Sequence, residues 1–275
     1  MIVKAALVQM KCGEDREEIV ERAIRHIQSA AEKGANIVCL QELFNGIYFA
    51  QYVDSKYYDW AESIPGPTVV KMQEVARKNN VVLIVPLYEK IITGVYYNTA
   101  VVINNEGEIL GRYRKNHIPE LPMFFEKFYF KPGNLGYPVF KTPFGNIAVY
   151  ICYDRHFPEG PRLFGLHGAD MMFVPTATKG TYKYLWEIEL KAHAIANGLF
   201  IGGVNRVGIE DKMDFYGSSF FCNPRGEIIA QCGDKDDDVL VAEFDLDMVR
   251  EIRNQWQFFR DRRPETYTDI ARLLP

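Results

Sequence analysis

The 275-residue sequence has no long hydrophobic run, no excess of positive charge and no leader-like beginning. Its longest apolar run, from Val81 to Leu87, is far shorter than the roughly 20 residues that a membrane-spanning helix needs. The net charge of -4 gives no electrostatic basis for binding nucleic acid. The first residues carry one lysine and no small-residue cleavage site, which indicates a first strand and not a signal peptide. We therefore expect a cytoplasmic protein that binds neither membranes nor nucleic acid.

Disulfide and metal-binding patterns are also missing. The sequence has five cysteines, an odd number that cannot all form pairs, and no two of them have C-x-x-C spacing. A chain of this length can build its core without covalent staples, so free thiols in a reducing compartment are the simplest interpretation. The five histidines show no H-E-x-x-H or H-x3-H spacing. We expect neither a metal nor a cofactor.

The overall composition is ordinary for a globular protein. Hydrophobic residues make up 48% of the chain and charged residues 25%, which excludes intrinsic disorder and coiled coil. No internal repeat, low-complexity linker or shift in composition marks a boundary. We therefore expect a single domain over residues 1–275.

Strand-like and helix-like stretches alternate along the chain, and several strands form hairpins. Asp15, with Glu18 three residues later, is a capping pattern that begins a helix, and Gly34 can end it. Hairpins fit poorly in an all-parallel sheet, so we predict an α/β fold of two mixed sheets packed together with helices outside. Further helices are expected at 68–79 and 182–196, and strands at 2–9, 36–40, 81–87, 97–103, 108–113, 139–141, 146–151, 171–174, 200–205, 218–222, 227–230 and 239–244.

Three polar residues have the same position relative to a predicted strand, since each comes directly after an apolar strand. They are Glu42, Lys115 and Cys152. Strand ends in α/β proteins are rigid and open towards a crevice, where sites are commonly built. A thiol nucleophile needs a base, which a carboxylate can supply, and a cation can hold a developing oxyanion. Taken singly, the cysteine is more often a buried small hydrophobe and the two charges are more often solvated.

The segments around these residues resemble three signature segments of the nitrilase (carbon–nitrogen hydrolase) superfamily. They are LQELF at 40–44, YRKNHIP at 113–119 and ICYDRHFPE at 151–159, and they occur in the family's order. The resemblance extends from the first strand to residues 205–208. It implies a four-layer α-β-β-α sandwich and a hydrolase of non-peptide C–N bonds that needs no cofactor.

The resemblance also implies a role for each residue. Cys152 would be the nucleophile, and Glu42 the base that takes the thiol proton, protonates the departing ammonia and activates water. Lys115 would hold the oxyanion together with the backbone N–H of Tyr153. Glu126 matches a second glutamate of the family and would orient Lys115 or the substrate; the alternative is a carboxylate on a surface loop. Because Lys115 favours the thiolate and Glu42 opposes it, we expect no strongly lowered pKa at the thiol.

Within the superfamily, the sequence resembles two carbamoyl-amide hydrolase families, the β-ureidopropionases and the N-carbamoylputrescine amidohydrolases. Their common reaction releases amine, CO2 and ammonia, and we predict it here for an N-carbamoyl amine or amino acid of the N-carbamoyl-β-alanine type. Arg155 is a candidate clamp for a substrate carboxylate, or forms a salt bridge within its own segment. An amine tail would instead need a carboxylate such as Asp154 or Glu159. Further candidate substrate-binding residues are Tyr153, His156, Tyr48 and His117. The alternative for Tyr48 is a place in the core, and for His117 a packing role.

Other functions remain open at this stage. Within the superfamily they are an aliphatic amidase, an ω-amidase or a nitrilase. In other classes they are a metal-dependent phosphoesterase, built on Asp170, His193 and Asn205, and a non-catalytic binding protein. The resemblance also implies a homo-oligomer. The amphipathic tail, about 249–275, would either form its interface or pack on its own domain.

Overall fold

The computed structural model describes residues 1–180 and 183–273. Its strands are β1 (Ile2–Gln9), β2 (Ile37–Leu40), β3 (Val82–Ile92), β4 (Val95–Ile103), β5 (Ile109–Arg114), β6 (Phe140–Thr142), β7 (Gly145–Val149), β8 (Met171–Pro175), β9 (Phe200–Val204), β10 (Val207–Glu210), β11 (Met213–Tyr216), β12 (Phe220–Cys222), β13 (Ile228–Gln231) and β14 (Asp238–Asp245). Its α-helices are α1 (Arg16–Glu32), α2 (Pro67–Asn79), α3 (Glu126–Tyr129), α4 (Glu159–Leu166), α5 (Lys183–Asn197) and α6 (Asp247–Trp256).

Two six-stranded mixed sheets form the centre of the fold, in the orders β14-β1-β2-β3-β4-β5 and β13-β12-β9-β8-β7-β6. The neighbours β1, β2 and β3 are parallel, as are β7, β8 and β9, because helices connect them. The outer strands are antiparallel and are joined mainly by hairpins. The prediction of two mixed sheets is confirmed.

Side chains of the central strands of the first sheet alternate between two separate cores. Leu7, Cys39 and Ile84 point between the sheets, where they join the inner face of the second sheet. Their neighbours Val8 and Leu40 point outward and are covered by α1 and α2. Side chains of α4 and α5 cover the second sheet in the same way. The layers are therefore α-β-β-α, and strands buried on both faces explain the continuous apolar runs in the sequence.

The first helix shows how local signals fix an element. The Asp15 side chain accepts a hydrogen bond from the backbone N–H of Glu18, as the capping pattern predicts. Gly34 follows the helix with φ of +87°, a conformation that glycine adopts without strain. The buried face of α1 includes Ile19, Ala23 and Ile27.

Several elements differ from the sequence prediction. Helices α3, α4 and α6 are not among the predicted helices, and the strand predicted at 146–151 ends at Val149. Strand β3 continues to Ile92 and forms an antiparallel hairpin with β4. Strands β10 and β11 form a separate two-stranded hairpin, which the prediction omitted. Residue 182, the predicted start of the third helix, lies outside the described residues, and α5 is described from Lys183.

The tail predicted at about 249–275 is partly packed on its own chain. Val249 and Ile252 of α6 are buried, and Arg162 and Arg253 lie over the ring of Phe259. The described residues after 260 are largely exposed. Among the helices of the described chain, none is long and apolar enough to cross a membrane.

Candidate active site

Strand ends of both sheets converge on one buried cluster. Glu42 follows β2 and Lys115 follows β5 in the first sheet, whereas Cys152 follows β7 in the second. Glu126 begins the short helix α3, between β5 and β6. The four residues predicted as catalytic therefore come from both sheets and from one connecting helix.

A lysine pairs with two carboxylates at the centre of this cluster. Lys115 Nζ donates to Glu42 Oε1 at 2.8 Å and to Glu126 Oε1 and Oε2 at 2.9 and 2.6 Å. The three side chains have no exposed surface. The Tyr48 hydroxyl donates to Glu126 Oε1 at 2.7 Å, and Asn98 Nδ2 donates to Glu42 Oε1 at 2.7 Å. This ion cluster holds one more carboxylate than it has cations.

The unequal charge shifts the pKa values of the cluster. Burial disfavours the ammonium form of Lys115, but Glu126 and Glu42 outweigh burial and raise the pKa of its amine. Burial raises the pKa of Glu126 to about 7, although Lys115 opposes the change, and the charge of Glu42 raises it further. Glu126 can therefore take up a proton near neutral pH and relieve the excess negative charge.

Cys152 sits in a strained backbone conformation at the start of the turn Cys152–His156. Its φ is +48°, a value that favours glycine and that is held here by the surrounding structure. Burial raises the pKa of the Cys152 thiol to about 12; the charge of Glu42 adds to this, and those of Lys115 and Arg155 oppose it. The expectation of no strongly lowered thiol pKa is confirmed. At neutral pH the sulfur is a thiol, which needs a base in order to attack.

One carboxylate oxygen of the ion cluster is unpaired within the described residues. Glu42 Oε2 is buried and has no hydrogen-bond partner among the described residues, whereas Glu42 Oε1 accepts two bonds. An unpaired buried acceptor costs about 1–3 kcal/mol, so its position requires an explanation. The Glu42 charge acts on the Cys152 thiol. The Sγ of Cys152 itself contacts the backbone carbonyl of Ala177 at 4.0 Å.

Asp154 braces the turn Cys152–His156 and is not free to bind a substrate. It is fully buried, and its carboxylate accepts from the Tyr113 hydroxyl at 2.7 Å and from the backbone N–H of His117 at 2.9 Å. The His117 ring also bonds Asp154, through Nδ1 at 2.7 Å, and stacks on Phe157. Asp154 therefore fastens the turn after Cys152 to the segment after β5. Asp154 is therefore excluded as the carboxylate that would bind an amine tail of the substrate. Glu159, the other candidate, is exposed and is not among the residues that line the cleft at Cys152.

A cleft of about 600 Å³ opens onto Cys152. Three of the predicted substrate-binding residues line it: Tyr153, Arg155 and His156. The other two do not belong to the lining in the described part of the chain. Tyr48 is buried and bonds Glu126, and the half-buried His117 bonds Asp154. The remaining lining residues are Pro119, Leu121, Pro122, Phe124, Ala177, Thr178, Lys179, Gly180 and Leu185.

Basic side chains set the charge of this cleft. Arg155 Nη1 donates to the carbonyl of Cys152 at 3.1 Å, and its Nε lies 3.2 Å from Glu189 Oε2. Glu189 also pairs with His156 at 2.6 Å. The cation Lys179 was missed by the sequence analysis; its Nζ contacts the sulfur of Met123 at 3.2 Å. A lone lysine in a loop gave no signal, because only the fold places it opposite Arg155 on one cleft.

The residues suggested for a metal-dependent phosphoesterase serve other purposes. His193 Nε2 bonds the backbone carbonyl of Arg155 at 2.7 Å, and the Asn205 side chain bonds the backbone of Thr178. Within residues 1–180 and 183–273, no group of three His, Cys, Asp or Glu side chains could hold a metal ion.

Comparisons with known proteins place the chain in a family. Residues 4–254 match the family model described as carbon-nitrogen hydrolase, and the chain belongs to this family. It is a hydrolase of C–N bonds other than peptide bonds, which excludes the phosphoesterase. A crystal structure of a carbon-nitrogen hydrolase from Helicobacter pylori G27 has the same fold, with a TM-score of 0.96, 35% identity and complete coverage of both chains.

Three curated relatives are more specific. An N-carbamoylputrescine amidase from Solanum lycopersicum is 39% identical over 99% of this chain and 96% of its own length. A beta-ureidopropionase from Arabidopsis thaliana is 38% identical, over 89% of this chain and 64% of its own length. A citrullinase from Francisella tularensis is 36% identical over 98% of both chains. The predicted membership in the carbamoyl-amide hydrolase branch is confirmed.

Proposed function

We propose that this protein hydrolyses an N-carbamoyl compound to an amine, CO2 and ammonia, with Cys152 as nucleophile and Glu42 and Lys115 as its partners. The observation that carries the catalytic assignment is the unpaired Glu42 Oε2 in a cluster where every other carboxylate oxygen bonds Lys115. The names of the curated relatives support the carbamoyl group, since each named substrate contains one.

The first half-reaction uses the neutral thiol. As Sγ of Cys152 attacks the ureido carbonyl carbon, Glu42 Oε2 takes the thiol proton, so no free thiolate is needed. The oxyanion is stabilised by the ammonium of Lys115 and the backbone N–H of Tyr153. Glu42 then gives its proton to the leaving nitrogen. The C–N bond breaks, ammonia departs, and a carbamoyl thioester remains on Cys152.

The second half-reaction returns the enzyme to its starting state. Glu42 takes a proton from a water molecule as its oxygen attacks the thioester carbon. The C–S bond breaks, the proton returns to the sulfur of Cys152, and the carbamate product loses CO2 to give the amine. Glu126, held by the Tyr48 hydroxyl, orients Lys115 throughout.

We also propose that the rest of the substrate ends in a carboxylate. Arg155 and Lys179 both line the cleft, and its described lining contains no aspartate or glutamate. Arg155 Nη2 has no hydrogen-bond partner among the described residues, so it can bind a carboxylate oxygen. An amine tail, as in N-carbamoylputrescine, would meet these cations, while the neighbouring carboxylate of Glu189 is already paired with Arg155 and His156. The cleft charge therefore favours a carbamoyl amino acid over a carbamoyl diamine.

Ammonia release from three substrates tests both proposals. We expect kcat/KM for N-carbamoyl-β-alanine to exceed that for N-carbamoylputrescine by about 10-fold, the value of one charged hydrogen bond, and a simple aliphatic amide to be slower still. Cys152→Ala should release no ammonia above background. Turnover by that variant would contradict the nucleophile. A preference for N-carbamoylputrescine would contradict the carboxylate tail, and a preference for the simple amide would favour an amidase.

The homo-oligomer remains a prediction. Apolar side chains near the end of the described chain are exposed, Phe258 by 45%, Ile270 by 66% and Leu273 by 98%. Such a surface is typical of an interface and supports association of the tail with a second copy.

A further inference from the structure

An arginine that takes no direct part in the proposed chemistry lies fully buried beneath the site. Arg206, two residues after β9, donates through Nε and Nη2 to the backbone carbonyl of Glu42 at 3.2 and 3.1 Å. Nη2 also donates to the carbonyl of Leu43 at 2.5 Å, and Nη1 to that of Gly46 at 3.0 Å. The planar guanidinium therefore binds three carbonyls of the segment 42–48 in a fixed geometry that a lysine ammonium does not provide.

Glu210 completes this arrangement from the hairpin of β10 and β11. Its carboxylate pairs with Arg206 Nη1, at 2.8 Å from each oxygen, and is itself buried. Glu210 Oε2 accepts a further bond from the backbone N–H of Tyr48 at 2.7 Å. A buried ion pair is weak evidence for stability, because desolvation offsets its attraction. Its many bonds to one backbone segment indicate another purpose.

The segment 42–48 supplies two side chains to the ion cluster. Glu42 is its first residue and accepts a hydrogen bond from Lys115 Nζ. Tyr48 is its last residue and donates a hydrogen bond from its hydroxyl to Glu126 Oε1. Between them, Leu43 has φ of +50°, a strained value for a leucine that must be held by its surroundings. The Arg206–Glu210 pair contacts the segment at Glu42, at Leu43 and at Tyr48.

We infer that the buried Arg206–Glu210 pair is a positioning device that fixes Glu42 and Tyr48 against Lys115 and Cys152. This inference rests on the proposed function, in which Glu42 moves the protons. It makes the hairpin that carries Glu210 a part of the active-site framework. Neither residue lines the cleft, so the pair acts on catalysis and not on substrate binding.

The variants Arg206→Lys and Glu210→Gln test this inference, with Arg253→Lys as the matched control. Arg253 is a half-buried arginine that also donates to two backbone carbonyls, those of Asn197 and Ala169, but it lies away from the site. We expect kcat to fall about 10- to 100-fold in both test variants, because small displacements of reacting groups have effects of this size. KM should stay within about 3-fold, and the control should keep kcat.

Alkylation of Cys152 supplies a readout that needs no substrate. The Glu42 charge raises the pKa of the Cys152 thiol. If Arg206→Lys displaces Glu42, this pKa should fall, and the alkylation rate should increase at a lower pH than in the wild type. The rate at Cys152 is followed by peptide mass spectrometry, and melting curves confirm folding. If Arg206→Lys does not fold, the near-isosteric Glu210→Gln decides the outcome.

The possible outcomes separate this inference from the proposed function. Unchanged kcat and an unchanged alkylation profile in folded test variants would overturn the positioning role, as would an equal loss of kcat in Arg253→Lys. If wild type hydrolyses no carbamoyl compound, the proposed function fails, whereas a shifted alkylation profile in Arg206→Lys still supports positioning of Glu42.

Discussion

The ion cluster and the cleft meet at Cys152, yet they are built in opposite ways. The cluster is closed to solvent, and three carboxylate oxygens lie within 2.9 Å of Lys115 Nζ. The cleft has a volume of about 600 Å³ and is lined by loop residues, of which Lys179 has a methionine sulfur as its polar contact. Buried paired charges suit a fixed reaction, whereas side chains on loops and turns suit a substrate that varies.

This difference agrees with the range of curated relatives. Proteins named for carbamoylputrescine, for citrulline and for ureidopropionate are each at least 36% identical to this chain. A shared reaction with different substrate tails is expected when the cluster and the cleft can change independently. Three variants can break or sharpen the comparison.

The largest effect is expected in the ion cluster from Lys115→Met. Loss of an oxyanion-stabilising group lowers kcat by about 10²- to 10³-fold. The charges of Glu42 and Glu126 are also left without their cation, so melting curves must accompany the kinetics. The exposed Lys127, next to Glu126 in the sequence, supplies the control Lys127→Met, which should keep full activity. A folded Lys115→Met enzyme with kcat within 10-fold of wild type would contradict the assigned role.

An intermediate effect concerns stability. Because burial raises the pKa of Glu126 from 4.5 to about 7, the folded state binds its proton more tightly than the unfolded state. Its contribution to stability is fully present below pH 4.5 and is lost as pH rises through about 7. Between pH 5 and pH 8, this group should lower the free energy of unfolding of the wild type by about 2 kcal/mol. In Glu126→Gln this loss should be absent. Denaturant titrations at both pH values measure it.

The exposed Glu120 supplies the control for that comparison. Glu120→Gln should keep the pH dependence of wild type. If Glu126→Gln loses stability between pH 5 and pH 8 as wild type does, Glu126 is ionised across this range and its assigned proton uptake is wrong.

The smallest effect is expected at the cleft, from Lys179→Met. We expect kcat/KM for N-carbamoyl-β-alanine to fall about 10-fold through KM, because one charged hydrogen bond to the tail is lost. Hydrolysis of a carbamoyl compound with an uncharged tail should not change. The exposed Lys141 supplies the control Lys141→Met. An equal loss for both substrates would show that Lys179 acts on the reaction and not on the tail.

Much of the fold and the core of the site could be predicted from the sequence. The helix cap at Asp15 is a local signal, and so is the position of Glu42, Lys115 and Cys152 within three residues of the ends of apolar strands. The hairpin of β10 and β11 was omitted although Met213 and Phe215 alternate with the exposed Asp214, a two-residue period that could have shown β11.

The remaining parts of the site had no local signal. Tyr48 and His117 were expected against the substrate, but partners distant in the chain draw them elsewhere, Glu126 for Tyr48 and Asp154 for His117. Arg206 could not be assigned to Glu42, from which it is 164 residues distant in the sequence. Such contacts depend on how the two sheets pack and not on any neighbouring residue.

The sequence by itself determined the periods of strand and helix and the kinds of functional groups that follow the strands, because both depend on residues close together in the chain. The tertiary structure alone decided that one lysine serves two carboxylates, that Glu42 Oε2 is left unpaired and that the cleft is lined by cations. The physical reason is that burial and the charges of distant residues set the protonation and pairing of an ionisable group. Folding supplies both of them.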